Sequence, residues 1–245
     1  MTKEHKPTLE EKKFFIQGPD GRIEALVSGI DLIDSINTLS TFSPLIKETE
    51  TKTPKIIGVV CHPHPLYQGS MHNKVVTTIC KAWQGLDLAT VRFNFRGVGE
   101  SEGHYGDGLG ERLDLEAVLH FLQTNFPQSQ FWLAGFSFGS YIALQVAAEP
   151  KSFPIQTLLT VAPPVHHFEF KTITLPNCPW VIIQGDQDSI VPYEKVFHWA
   201  SNLQEQKSDL EFISMIGAEH FFHGQLIELK TIIQDSFRKH SLCNA

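Results

Sequence analysis

The sequence predicts an α/β fold, with a mostly parallel central sheet, helices on both faces and no large cap domain. Three observations carry this. From Lys55 onward, short runs of β-branched and aromatic residues alternate with stretches of helical character. Several of those runs are apolar without a break, as in parallel strands covered on both sides. The chain's 245 residues, 42% hydrophobic and 19% charged, are enough for a single α/β domain of ordinary globular composition.

The elements follow in chain order. The first residues, MTKEHKPTLEEKK, are charged throughout and hold no apolar stretch of the kind a secretory signal needs. Residues 12–30 alternate loosely around Gly18-Pro19-Asp20-Gly21, which predicts an antiparallel hairpin. Residues 31–54 show no sustained period and end in ETETKTPK, so they are expected to form a surface connection. The core is expected over 55–240. Its strands are KIIGVVC (55–61), ATVRFNF (89–95), FWLAGF (131–136), TLLTVA (157–162), WVIIQG (180–185) and LEFISMI (210–216). Helices are expected near 72–85, 109–124, 138–149, 192–204 and 223–238. The space between Val161 and Cys178 is too short for an inserted cap, so a site at the strand ends is expected to be open.

Composition excludes several classes of function. Twenty Lys+Arg against 27 Asp+Glu give a net charge of −7, and no basic block offers a nucleic-acid footprint. The longest apolar runs are strand-sized, far short of a membrane span. Cys61, Cys80, Cys178 and Cys243 are scattered without CxxC spacing, which predicts reduced thiols, three of them buried, in a cytoplasmic protein. The sequence leaves a homo-oligomer open.

G-x-S-x-G occurs twice, around Ser101 and Ser137. The pattern has chemical meaning only on a strand–turn–helix, where a sharp bend lifts the hydroxyl above the sheet. Ser137 follows the strand FWLAGF and leads into the helical SYIALQVAAE, whereas Ser101 runs into the glycine-rich HYGDGLGE. Ser137 is therefore the candidate nucleophile, and Ser101 a loop or capping serine. A serine hydroxyl needs a base, and the base a carboxylate to orient it, in the chain order Ser, acid, His on this architecture. WVIIQG runs into Asp186-Gln187-Asp188, and both aspartates are open as the acid, a turn hydrogen bond being the commonest role for such a residue. LEFISMI ends at Gly217-Ala218-Glu219-His220, which puts His220 one strand later as the base. His223 is expected to line the site at a helix start.

Acyl transfer also needs two donors for the developing oxyanion. One is the backbone N–H of Phe138. The other belongs to the loop His62-Pro63-His64-Pro65-Leu66-Tyr67, where the prolines carry no N–H, leaving His64, the preferred donor, or Leu66. Tyr67, Phe136, Phe221 and Phe222 are candidates for an apolar pocket wall, with core packing as the alternative.

Five blocks in order, HPHPLYQGSMHNKVV (62–76), FNFRGVGESEG (93–103), GFSFGS (135–140), GDQDSIVP (185–192) and GAEHFFHG (217–224), resemble the signatures of the small, lidless bacterial α/β-hydrolases. That group is similar to dienelactone hydrolases and serine aminopeptidase-like proteins, and the likeness spans about residues 55–240. The resemblance implies the α/β-hydrolase fold and assigns Ser137, Asp188 and His220 to a catalytic triad. One departure is HPHP, where the wider superfamily carries histidine-glycine. Asn94 and Arg96 are expected to order the loop after their strand.

The implied chemistry is hydrolysis of an ester, thioester or related acyl bond of a small-molecule substrate, with no metal or organic cofactor required. Three competitors stand beside it. A metal enzyme would use His62, His64, His72, His166 and His167, but Pro63 and Pro65 restrict that loop and no nearby carboxylate or cysteine completes a set. A binding or scaffold protein could keep the fold without the chemistry. An acyltransferase or aminopeptidase would share the same triad.

Overall fold

A computed structural model describes residues 10–29, 32, 33, 36, 54–149 and 153–242. Strands β1 (Glu11–Gly18) and β2 (Gly21–Ser28) form the expected hairpin, with Gly18 paired to Gly21 across Pro19-Asp20. Proline sets the first corner of that turn, and Gly21, at φ +108°, takes a conformation other residues avoid.

The remaining strands are β3 (Ile56–Cys61), β4 (Ala89–Phe93), β5 (Gln130–Phe136), β6 (Ile155–Val161), β7 (Trp180–Gly185) and β8 (Leu210–Met215). They complete an eight-stranded sheet of order β1-β2-β4-β3-β5-β6-β7-β8. The hairpin joins antiparallel, through β2 on β4, and the other pairs are parallel. The helices are α1 (Lys74–Gln84), α2 (Leu109–Asn125), α3 (Phe138–Ala148), α4 (Tyr193–Gln204) and α5 (Leu226–Leu242).

Strand alternation divides the core in two. Val60, Ala134, Leu159, Val181 and Ile183 face α1 and α5, where Trp83, Trp132 and Phe237 form one aromatic cluster. Val59, Leu133, Leu158 and Ile182 face the other way, against apolar residues of α2, α3 and α4. Because both sides are covered, neither parity is polar, which is why these strands are apolar runs in the sequence.

One expectation needs correction. Leu32, Ile33 and Ile36 are helical and buried, so the start of the 31–54 segment contributes to the core. Their spacing places them on one face of a helical turn, too short for a period to show. Residues 31, 34, 35 and 37–53 of that segment lie outside the described residues, as does Cys243. Cys61, Cys80 and Cys178 are free and buried. Between β6 and β7, residues 162–179 hold only a 3-10 turn, Phe170–Thr172, and no cap. Among the described residues no helix is long and apolar enough to cross a membrane.

Candidate active site

The site lies where β5, β7 and β8 end. Ser137 occupies the bend between β5 and α3 with φ 52° and ψ −120°, a conformation that costs a non-glycine residue about 1–3 kcal/mol. Two contacts explain the flanking glycines. A Cβ on Gly135 would stand 2.1 Å from the Gly139 carbonyl oxygen, and one on Gly139 would stand 2.5 Å from the carbonyl oxygens of both Cys61 and His62. The start of α3 can therefore press directly on the end of β3, bringing Phe138 beside the loop that follows β3. The Ser137 carbonyl accepts bonds from the Ser140 amide and hydroxyl, which closes the bend.

Asp188 and His220 arrive from two successive strands. The His220 ring approaches the Ser137 hydroxyl through Nε2 at 3.2 Å and Asp188 Oδ2 through Nδ1 at 2.7 Å. A carboxylate oxygen accepts, so Nδ1 donates to Asp188 and Nε2 is left as an acceptor for the serine proton. Asp188 is itself held firmly: Oδ1 accepts from the amides of Ile190 (2.9 Å) and Val191 (2.7 Å), and Oδ2 from Gln184 Nε2 (3.1 Å). The competing Asp186 accepts from the Gly217 amide at 2.6 Å, a bond to the loop after β8 rather than the local turn bond expected of a loop aspartate.

The other predicted positions separate cleanly. Ser101 is buried in a loop, donating to the Asn94 carbonyl (2.7 Å) and accepting from the Glu24 amide (2.9 Å). Asn94 bridges Glu24 and the Met71 amide, and Arg96 grips Asp114 through both its side chain and its own amide. Both order their loop. Burial raises the Glu24 pKa, but the Glu100 amide, Asn94 and the nearby Lys13 outweigh it, and the net shift is downward.

In the loop after β3, the Leu66 amide donates to His64 Nδ1 at 3.2 Å, so that N–H is already engaged. The amides of His64 and Phe138 have no acceptor among the described residues. Of the two candidate donors from this loop, His64 is the one whose amide is unengaged among the described residues. Both nitrogens of His62 and of His64 are taken up within the protein, and no group of three His, Cys, Asp or Glu fit to hold a metal occurs among the described residues.

Ser137, His220, His64 and Phe138 open onto a cavity of about 710 Å³. Tyr67 and Phe221 line it, together with Phe168, Ile190 and His167, for none of which a place in the cavity wall was expected. Three expected lining residues lie elsewhere. Phe136 is fully buried with its ring 5.0 Å from that of His220, because alternation along β5 turns it to the α1/α5 side of the sheet. His223 is exposed and pairs with Glu219, and the helix it was expected to start begins at Leu226. Phe222 is fully buried on the same side as Phe136. Gln184, which fixes Asp188, also went unread, since it looks like an ordinary strand residue.

Residues 68–170 match the family model described as serine aminopeptidase, S33. An uncharacterised protein of Rickettsia prowazekii (strain Madrid E) is 36% identical over 229 residues, spanning 91% of this chain and 87% of the relative. An α/β serine hydrolase homologue from Coxiella burnetii is 43% identical with a TM-score of 0.77, covering 91% of this chain and 96% of that one. An α/β serine hydrolase without a lid from Xanthomonas campestris is 35% identical with a TM-score of 0.77, covering 94% of each chain.

Proposed function

The chain belongs to the α/β serine hydrolases, and from that premise we propose that it cleaves an ester, thioester or related acyl bond through a covalent acyl-enzyme. The observation that carries this reading is the unbroken hydrogen-bond relay from Asp188 through His220 to Ser137 at the floor of an open cavity.

On this reading Ser137 Oγ attacks the acyl carbonyl while His220 Nε2 takes its proton. The new C–O bond pushes the carbonyl electrons onto oxygen, and the Phe138 and His64 amides bind that oxyanion. Collapse expels the alcohol or thiol, which receives the proton from His220. Water then attacks the acyl-serine with His220 as base, releasing the acid and restoring Ser137. Asp188 holds the ring tautomer throughout and balances the imidazolium charge. The apolar part of the wall, Tyr67, Phe168, Ile190 and Phe221, suits an apolar acyl group, while Gln68, Asn73 and His167 add polar contacts.

The description of the matching family model favours a second reading, in which the acyl group is an amino acid and the bond an amide. One panel decides between them: p-nitrophenyl esters of increasing acyl length, acyl-CoAs and aminoacyl amides, each run with wild type and Ser137→Ala. The expected result is turnover of esters or thioesters, lost by at least about a thousandfold in the variant. Turnover confined to aminoacyl amides selects the second reading, and wild-type rates in Ser137→Ala contradict both.

A further inference from the structure

We infer that His62, which touches neither the nucleophile nor the base, is a positioning residue that aims the His64 amide at the developing oxyanion. The inference rests on the hydrolase reading of the site.

His62 is fully buried just after β3. Its Nε2 lies 3.0 Å from the Phe95 amide, which can only donate, so Nε2 carries a lone pair and the ring proton sits on Nδ1. That proton is donated to the Pro63 carbonyl oxygen at 2.6 Å. The Pro63 carbonyl and the His64 N–H belong to one trans peptide plane and point in opposite directions. Holding the carbonyl against the buried ring therefore directs the His64 N–H away from that ring. Pro63 and His64 border the cavity together with Ser137 and Phe138.

The next peptide, His64–Pro65, is held as well. The His64 carbonyl accepts from the amides of Tyr67 and Gly69, each at 3.1 Å. Gly69 also packs so closely that a Cβ there would stand 2.0 Å from the Pro63 oxygen. Burial pushes the His62 pKa down to about 3, outweighing the Pro63 hydrogen bond that raises it, so the ring keeps one donor and one acceptor at neutral pH. The HPHP loop thus holds a rigid donor through a histidine outside the triad.

Two substitutions separate positioning from simple support. His62→Asn can place an amide N–H where Nδ1 stands, keeping the bond to Pro63 and losing the acceptor for Phe95. His62→Gln can offer an acceptor to Phe95 and loses the bond to Pro63. An oxyanion donor acts in the transition state, so the readouts are kcat, KM and the Ki of a boronic acid analogue, with thermal unfolding in parallel. The expected result is a kcat lowered about 10- to 100-fold in His62→Gln with KM within about twofold, and Ki weakened by the same factor as kcat. His62→Asn is expected to stay within about threefold of wild type. Gly69→Ala, which displaces the Pro63 oxygen by a different route, is expected to resemble His62→Gln and decides the matter if His62→Gln does not fold. Wild-type kcat in folded His62→Gln, or in Gly69→Ala when that variant decides alone, overturns the inference, as does an equal loss in His62→Asn. Should wild type itself neither hydrolyse esters nor react with a fluorophosphonate at Ser137, the hydrolase reading fails first.

Discussion

The behaviour of single residues here follows from which hydrogen bonds they are given. Asp188 and Asp186 stand two positions apart at the same strand end, and composition does not distinguish them. Only Asp188 meets the His220 ring, because the turn at Ile190 and Val191 supplies two amides to its other oxygen. In the sequence that choice was legible through family resemblance alone. His62 gives a prediction at this scale. Unfolded, it binds a proton near its ordinary 6.5, whereas folded it resists protonation down to about 3. Its contribution to stability is therefore complete above pH 6.5 and is lost as the pH falls from 6.5 toward 3, at up to about 1.4 kcal/mol per pH unit. His64 and His166 are shifted in the same direction by burial, so the comparison must be made within one background. Chemical denaturation at several pH values between 6.5 and 5 is expected to give a shallower loss for His62→Gln than for wild type. Equal slopes would show that the ring is not held neutral.

At the scale of elements, the two G-x-S-x-G matches show what a motif requires of its surroundings. Gly135 and Gly139 are fixed by backbone-to-backbone approach, since either Cβ would overlap a carbonyl oxygen that cannot move independently of its strand or helix. Gly139→Ala is expected to lower stability by about 1–3 kcal/mol and to cut activity in the folded fraction, because α3 and the Phe138 amide must shift off β3. Wild-type unfolding temperature and rate in that variant would mean the contact is softer than the geometry indicates. The loop after β4 depends on a different device. Arg96 is largely buried against Asp114, so Asp114→Ala is expected to destabilise by about 3 kcal/mol, measured by denaturant titration, since it leaves the guanidinium only the more distant, half-exposed Asp20 at 3.6 Å. The strands and helices themselves were readable to within a few residues, because two covered faces make continuous apolar runs. The helical placement of Leu32, Ile33 and Ile36 was not, because three apolar positions are too few to establish a period.

For the molecule as a whole, a parallel sheet collects the ends of β3, β5, β7 and β8 at one edge, and the loops leaving those ends build the site. The order of these loops in sequence can be read directly, which is why Ser137 and His220 stand out from their strands, whereas Asp188 needed the family resemblance to separate it from Asp186. The walls of the cavity could not be read in the same way. Phe168, His167 and Ile190 come from loops with no periodicity, and Phe136 follows strand alternation to the far side of the sheet although it adjoins Ser137 in the motif. The central claim is that residue 137 carries an activated hydroxyl. Its most direct test is reaction of the intact protein with a fluorophosphonate, followed by mass analysis of the adduct and its peptide. The account predicts one adduct per chain on Ser137, absent in Ser137→Ala and formed far more slowly in His220→Ala. An adduct elsewhere with Ser137 unmodified, or undiminished labelling in Ser137→Ala, would contradict it.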